Sequence, residues 1–293
     1  MIFEAIDHII IAVADLDAAT TNYRSLLGRA PSWRGEHPSY GTHNTLFRLD
    51  NTYIELLAAT PKAASPFAEM VREALGDRNE RPFGLALAVA DTRAAANFLR
   101  GRGLRVAEPA DGEGVDQRSG RRRTWRNAFI DPATAGGLRL LLIQHTSPPH
   151  LLPRALSVAD ETSVAIGVDH VVIFTSEINA TLRLWCGTLD VPERWRRDLP
   201  ERGTRNVGLE LAGLTIECIM RTDQSAGVVA DRFWGLAYSV LNLEQAVGRR
   251  RAEGFEIDNP RTGLAPGTHV ATVRWRGTPT LLIQRNLTAP SSA

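Results

Sequence analysis

The sequence predicts an α+β protein built from four βαβββ units, arranged as two tandem halves of two units each. Three observations predict it: a gapless internal repeat, strand-length and helix-length apolar runs in the same order around both copies, and a fainter likeness between the segments that follow them. The repeat offset is 162 residues for every polar match (169 minus 7, 203 minus 41, 217 minus 55). The matched residues are Asp7-His8 with Asp169-His170, Gly41-Thr42-x-Asn44 with Gly203-Thr204-x-Asn206, and Glu55 with Glu217.

The first unit opens with a short, β-branched apolar run at residues 6–13, which is too short for a helix and predicts a buried strand. Asp15 supplies an N-cap, so a helix is expected over residues 18–27, with Gly28 just past its end. Residues 45–49 and 52–57 predict two further strands that are joined by a hairpin-type connection, Asp50-Asn51.

The third unit repeats this order. Its expected elements are a strand at 168–174, a helix at about 179–189, and strands at 206–211 and 214–220 joined at Ala212-Gly213.

The second and fourth units match each other more faintly. Residues 83–89 align with 234–240, 100–109 with 251–260, and 141–144 with 281–284. The last match needs a shorter offset, so the first half has surplus residues, which we place in an exposed loop at 111–123. Residues 63–76 predict a helix between the first two units, with Phe67, Met70, Val71 and Leu75 on one face.

These units divide the chain into two expected domains. The first covers residues 1–148, with units at 1–60 and 80–146. A proline-containing linker follows at 149–165. The second domain covers 166–293, with units at 166–222 and 231–287.

Composition is that of a soluble globular protein, with 293 residues, 43% hydrophobic, 23% charged and a net charge of +1. This charge gives no reason to expect nucleic acid or anionic membrane as a partner. No apolar run approaches about 18 residues, and the N-terminus lacks a basic signal-peptide region. Cys186 and Cys218 are the two cysteines, so we expect a reduced, cytoplasmic protein, a monomer or homodimer with a small-molecule partner.

A His and a Glu inside otherwise apolar strands are costly to bury unless they are paired, hydrogen-bonded or bound to a metal. The candidates for metal ligands are His8, Glu55, His170 and Glu217. Their nitrogen and oxygen donors suit Zn, Mn, Fe, Ni or Co, and not a thiolate-preferring metal. A loosely held carboxylate could also move a proton, so Glu55 and Glu217 are the candidate catalytic residues.

The whole pattern resembles the vicinal oxygen chelate superfamily, which includes glyoxalase I, extradiol dioxygenases, fosfomycin-resistance enzymes and bleomycin-binding proteins. The closest resemblance is to its glyoxalase-like branch, where a stretch such as HPSYGTHNTLFRLDNTYIELL is typical. The resemblance implies that two units pair, so that their sheets curl into a half-open barrel around one cavity. It also implies that His8, Glu55, His170 and Glu217 point inward as metal ligands.

The chain departs from the enzymes of that superfamily in its second and fourth units. Gly84 and Gly235 stand where the His would be, and leucines stand where the Glu would be. If adjacent units pair, each cavity receives one His and one Glu, and a third ligand would have to come from His43, His269, Gln144 or another subunit. If units one and three pair, a complete two-His, two-Glu site forms. The sequence leaves both pairings open.

Structural readings of the same residues stay open as well. His8 could be a satisfied core residue, hydrogen-bonded to a main-chain carbonyl or to Asn44, with Glu55 as a metal-free partner. We expect His37 on a loop and Trp33 and Trp195 as packing residues. The arginine triplets at 121–123 and 249–251 are expected to be solvated.

Two functional hypotheses follow. The first is a metal-dependent lyase, isomerase or dioxygenase of the glyoxalase/dioxygenase type that acts on a small oxygenated molecule. The second is a metal-free protein that binds or sequesters a small molecule, as the bleomycin-resistance proteins do.

Overall fold

A computed structural model describes residues 2–223, 229–274 and 277–286. Residue 287 of the expected fourth unit and the rest of the C-terminal stretch lie outside these residues. Among the described residues, no helix is both long enough and apolar enough to span a lipid bilayer.

The elements of the first half follow one another in the expected order. They are β1 (Ala5–Val13), α1 (Leu16–Leu27), β2 (Trp33–His37), β3 (Thr42–Arg48), β4 (Tyr53–Ala59), α2 (Pro66–Leu75), β5 (Glu80–Ala88), α3 (Thr92–Gly101), β6 (Ala110–Asp116), β7 (Arg122–Ile130) and β8 (Leu140–His145). Single 3₁₀ turns lie at Pro132–Thr134 and Pro149–Leu151.

The second half repeats that order with shorter pieces in its last unit. Its elements are β9 (Ala165–Thr175), α4 (Ile178–Leu182), a π-helical segment (Arg183–Thr188), β10 (Glu193–Leu199), a 3₁₀ turn (Pro200–Arg202), β11 (Thr204–Leu211), β12 (Leu214–Arg221), β13 (Arg232–Val240), α5 (Leu243–Ala252), β14 (Glu256–Ile257), β15 (Arg261–Thr262), β16 (Thr268–Arg274) and β17 (Thr280–Arg285). The α+β class with curled, barrel-like sheets is confirmed. The helix expected at 179–189 is an α-helix only to Leu182.

Adjacent units pair in both halves. β1 runs antiparallel to β5 in the first half, and β9 runs antiparallel to β13 in the second. The alternative in which units one and three share a cavity is therefore wrong, because units one and three belong to separate sheets.

The first sheet closes completely, whereas the second stays open. In the first, β2 pairs with β6 through Gly35–Asp116 and Glu36–Val115, which gives a barrel of order β1-β4-β3-β2-β6-β7-β8-β5. In the second, β10 and β14 are the free edges of the sheet path, and β14 and β15 have two residues each. The half-open barrel of the expectation thus describes only the second half.

The surplus residues 111–123 are not the exposed loop that the sequence predicted. They form most of β6, a tight turn and the start of β7, and they supply the strand that closes the barrel. Gly112 is required there, because a Cβ at this position would lie 2.4 Å from the indole nitrogen of Trp125. The indole lies across the glycine strand and points toward the barrel interior.

Strand alternation separates the core from the barrel interior. On β1, Ile9 and Ile11 face outward into the large core under the helices, whereas His8 and Ile10 face the interior cavity. Helix α2 fills one end of that interior with Phe67 and Val71, although Met70, expected on the same face, is 39% exposed.

Arginines of α5 join the two halves. Arg250 is fully buried, and its guanidinium donates to Leu26 O (2.7 Å) and Ser163 O (2.9 Å). Arg249 donates to Ser25 O at 2.8 Å. Ser25 and Leu26 are in the last turn of α1, whose carbonyls have no partner within the helix. The expectation that this triplet is solvated is wrong for Arg250, because a helix end from the other half takes up its hydrogen bonds.

A single apolar core runs through both halves, from Phe3 and Leu27 to Trp185 and Tyr238. The segment 149–165 packs along the first half, where Ala155 N donates to Arg48 O and Val158 N donates to Gly28 O. The division into domains at 149–165 stays a prediction.

Asn51 makes a second junction, in the turn between β3 and β4. Its amide nitrogen donates to Val168 O (2.8 Å), and Val168 N donates to its side-chain oxygen (3.1 Å).

We expect Asn51→Ala to lower the free energy of unfolding by about 1–2 kcal/mol, since both main-chain groups of buried Val168 lose their partner. Urea denaturation measures the loss. Asp50→Ala is the matched control, because the Asp50 carboxylate only bridges exposed Arg154. Equal stability of the two variants would contradict the prediction.

Candidate functional site

The first barrel surrounds an empty space of about 630 Å³, counted together with its opening to solvent, which we call the first-half cavity. Inward side chains of β1, β2, β3, β4, β7 and β8 line it, and Phe67 of α2 closes one end. The candidates His8 and Glu55 both line this cavity, as expected for inward positions on neighbouring parallel strands β1 and β4.

Four polar residues of the repeat form one connected chain, which we call the first quartet: Asp7, His8, Glu55 and Asn44. His8 Nδ1 lies 2.6 Å from Asp7 Oδ1, and His8 Nε2 lies 3.3 Å from Glu55 Oε2. Asn44 Nδ2 donates to Glu55 Oε1 at 2.7 Å. The imidazole is thus held between two carboxylates, with both ring nitrogens used.

Electrostatics favour a charged imidazole at this place. Burial alone disfavours the cation, but hydrogen bonds to Asp7 and Glu55 raise the pKa of His8 from 6.5 to about 9. Burial opposes ionisation of Glu55 too, yet the bond to His8 lowers the pKa of Glu55 below its usual value. Asp7, bonded to His145 and His8, also has a lowered pKa despite its burial. Near neutral pH the chain is therefore carboxylate, imidazolium, carboxylate.

His37 lies in the same cavity and not on a loop. It is buried on β2, with Nδ1 3.1 Å from Thr42 Oγ1 and Nε2 3.2 Å from Asn44 Nδ2. Since Asn44 donates to Nε2, the ring proton is on Nδ1, and burial lowers the pKa of His37, which keeps it neutral. The alternation Trp33, Gly35, His37 in a strand could have revealed this inward position.

His145, at the end of β8, is a further cavity residue that sequence reasoning missed. Its Nε2 lies 3.0 Å from Asp7 Oδ2. It follows directly after the segment 141–144 that aligned with 281–284, so the repeat comparison stopped one residue short. The corresponding position in the second half is Arg285, which donates to both Asp169 oxygens at 2.7 and 3.0 Å.

The second quartet reproduces the first. His170 Nδ1 lies 2.9 Å from Asp169 Oδ1, His170 Nε2 lies 3.4 Å from Glu217 Oε2, and Asn206 Nδ2 donates to Glu217 at 2.7 Å. It lies in a larger space of about 1760 Å³, counted together with its opening to solvent, which we call the second-half cleft. The repeat therefore preserves a three-dimensional arrangement of four side chains, and not only their order in the sequence.

No sequence candidate for a third metal ligand lines either space. The Gln144 side chain accepts from Thr92 N at the start of α3, His269 is exposed, and His43 is half-buried outside the cavity. Across the described residues, no group of three or more His, Cys, Asp or Glu side chains is arranged to hold a metal ion. The donors that face each other in each quartet are thus one imidazole and one carboxylate, His8 with Glu55 and His170 with Glu217.

These two donors fit neighbouring positions around a divalent metal. His8 Nε2 and Glu55 Oε2 lie 3.3 Å apart, so one ion could be held by both. Moreover, the side-chain oxygens of Asn44 and Asn206 are buried with no hydrogen-bond partner. The donor chemistry fits a borderline divalent ion, although the protein supplies two donors where catalytic zinc sites usually have three.

The quartets predict a loss of stability at alkaline pH. The folded-state pKa of His8 lies above its unfolded value. The stabilisation that protonated His8 gives to the folded state is therefore complete below pH 6.5 and disappears as the pH rises to about 9. His170, with its pKa also raised, loses stability in the same direction, while neutral His37 does not titrate there. The complete contribution of His8 to the free energy of unfolding is about 3 kcal/mol. Glu55 and Asp7, with lowered pKa values, lose their contribution at acid pH instead.

Urea denaturation between pH 6 and pH 9.5 checks this. Wild type should lose stability across the range, and His8→Gln should have a shallower slope, because glutamine keeps polar contacts without a titrating proton. An unchanged slope in His8→Gln would show that the imidazolium is not the cause.

Comparison with known proteins gives one family and several solved structures of similar fold. A family model described as a glyoxalase-like domain matches residues 6–189. No curated protein sequence matches the chain. A triple variant of 4-hydroxymandelate synthase from Streptomyces coelicolor superposes with a TM-score of 0.70, at 17% identity over 98% of this chain and 94% of that one. The Mn(II)-bound glyoxalase from Novosphingobium aromaticivorans gives 0.61, at 15% identity over 96% and 82%. A hypothetical protein from Staphylococcus aureus gives 0.64, at 15% identity over 96% and 99%.

Proposed function

This chain belongs to the glyoxalase-like domain family of the vicinal oxygen chelate superfamily, and we propose that it is an enzyme of that superfamily's type. Its substrate is a small oxygenated molecule bound in the first-half cavity, and the reaction is that of a lyase, isomerase or dioxygenase. The observation that supports this most is the first quartet: a His–Glu pair held on the inner face of a barrel, beside an enclosed space, by residues that do not serve the core.

The quartet can move a proton between two substrate atoms. His8, as an imidazolium, donates its Nε2 proton to a substrate oxygen on which negative charge develops. Glu55 is a weak base while His8 is cationic, because that cation lowers the pKa of Glu55. Transfer of the His8 proton removes the cation, so Glu55 becomes basic enough to take a proton from the neighbouring carbon. Asn44 holds the carboxylate in place through its other oxygen.

We propose a divalent metal, Zn, Mn, Fe, Ni or Co, as the group that His8 and Glu55 would hold in the first half, and His170 and Glu217 in the second. When bound, such an ion supplies Lewis-acid stabilisation to an enolate-like oxygen. Metal binding requires the neutral imidazole, so His8 would then be a ligand and no longer the proton donor. Asp7 would orient the His8 ring through Nδ1, as carboxylates do for metal-binding imidazoles. Glu55 and Glu217 remain the proposed proton-transfer residues.

A metal-free binding protein is the second candidate. It is favoured by one observation: His8 and Glu55 are each other's partners, and no third His, Cys, Asp or Glu of the described residues completes a metal-holding group with them. Elemental analysis of the purified protein, before and after dialysis against a chelator, separates the candidates. At least one divalent ion per chain, with a melting temperature that falls on chelation, supports the enzyme. Protein without metal at any tested concentration, and with an unchanged melting temperature, supports the binder.

A further inference from the structure

One charged residue of the first-half cavity is not used by the quartet. Arg123 of β7 is the third residue of an arginine triplet that the sequence predicted to be solvated, and that prediction is wrong for it, since it is only 7% exposed. Its neighbours Arg121 and Arg122 are exposed, and Arg122 pairs with Glu113 at 2.7 Å. Strand alternation turns Arg123 inward, where it lines the cavity together with His8 and Glu55.

The Arg123 guanidinium has aromatic neighbours and no polar partner. Its central carbon lies 5.5 Å from the Trp33 ring centroid and 5.8 Å from that of Tyr53. Among the described residues, it forms neither an ion pair nor a hydrogen bond, whereas buried Arg29 and Arg250 donate to several main-chain carbonyls.

Unlike the unpaired Nη2 of Arg250, the Arg123 nitrogens are not sealed inside the protein. They face the open space of the cavity, so five N–H donors are available to a ligand there. A planar guanidinium in an enclosed space matches a carboxylate in a bidentate arrangement, and a carboxylate would satisfy two donors at once.

The remaining lining indicates the body of the ligand. Trp33, Tyr53, Trp125 and Phe129 form an aromatic box around the cavity. By strand register, the second half has threonine at three of the four matching positions, namely Thr215 for Tyr53, Thr268 for Trp125 and Thr272 for Phe129. Three of the four aromatic side chains of the box therefore have no aromatic counterpart at the matching positions of the second half, although the quartets are alike.

We propose that Arg123 binds the carboxylate of a small organic acid whose flat, apolar body lies in the aromatic box of the first-half cavity. The proposal rests on the proposed function only in taking this cavity as the ligand site. It assigns the anionic end to Arg123 and the apolar body to the aromatic side chains, and it leaves the His8–Glu55 pair free to act on the rest of the molecule.

Equilibrium binding tests this without turnover or metal. Benzoate, phenylacetate and 3-phenylpropionate are titrated into chelator-treated protein, followed by calorimetry and by the fluorescence of the cavity tryptophans. Phenylacetamide, which has the same shape and no charge, is the ligand control. We expect at least one acid to bind saturably and at least about tenfold more tightly than the amide. Arg123→Met should remove this preference, and Arg123→Lys should retain part of it.

Arg122→Met is the matched protein control, because it removes the neighbouring, exposed guanidinium, and its binding should equal that of wild type. Melting temperatures separate a ligand residue from a structural one. Because the Arg123 guanidinium has no polar partner in the described part of the protein, Arg123→Met should be at least as stable as wild type without ligand. The proposal is overturned if none of the three acids binds saturably or if acid and amide bind with equal affinity. It is also overturned if Arg123→Met melts earlier than wild type and binds as wild type does. A failure of metal binding would leave these results unaffected.

Discussion

The double variant His8→Ala with Glu55→Gln is expected to lose half of the divalent metal bound by wild-type protein. The reason is the pairing of adjacent units: the first quartet lies in a closed barrel, and the second in a separate sheet. The variant His170→Ala with Glu217→Gln should lose the other half, and the combination of all four substitutions should bind none. Elemental analysis after equilibration with excess metal measures each content.

Metal that binds only the folded state should also stabilise it, by about 2.7 kcal/mol at a concentration 100 times the dissociation constant. The rise in melting temperature on adding metal should therefore shrink in each double variant. His43→Ala with Glu36→Gln is the matched control, since these residues form a neighbouring His–Glu position across β2 and β3, outside the cavity. It should keep the full metal content. Loss of all metal from one quartet variant would contradict independent sites.

The second large effect is expected from Arg250→Ala, which should lower the free energy of unfolding by about 3 kcal/mol or more. Arg250 donates to Leu26 O, Ser163 O and Ala246 O, and its removal leaves carbonyls without a donor and a void between the halves. Burial lowers the pKa of Arg250 to about 9, so the charge itself is held at a cost. The substitution is nevertheless expected to lower the free energy of unfolding, because the carbonyls that lose their donor stay buried.

Arg251→Ala is the matched control for this position. Arg251 belongs to the same helix and also binds a main-chain oxygen, but that oxygen, Ile257 O, lies in its own half, and the side chain is exposed. Urea denaturation of the two variants should give a clearly larger loss for Arg250→Ala. Equal losses would show that Arg250 does not hold the halves together.

Much of the fold could be read from single residues and their spacing. The capping of α1 is an example: the side chain of Asp15 accepts from Asp17 N and Ala18 N, and Gly28 ends the helix with a φ of +71°. The neighbourhood of His8 and Glu55 also followed from sequence, since an inward residue of one strand and an inward residue of its parallel neighbour must lie on one face. Both arguments use interactions between residues that are close in sequence or fixed by strand alternation.

The roles of the arginines could not be read in the same way. Arg121, Arg122 and Arg123 are alike as letters, yet only Arg123 is buried, because a strand that looked like a loop turns it into the barrel. In the same way, Arg250 is buried because the last turn of α1 from the other half lies against it. A long, charged side chain takes its environment from whatever the tertiary structure brings near its end.

By itself, the sequence determined that the chain has repeated βαβββ units and that each half carries an Asp, His, Asn and Glu quartet, because these depend on local periodicity and on a repeat that is visible in the letters. Only the tertiary structure decided that β1 pairs with β5 and β9 with β13, that β2 and β6 close the first barrel, and that His37, His145 and Arg123 share its cavity. Which strand edges meet depends on hydrogen bonding and packing between segments far apart in the chain, and no local pattern fixes that choice.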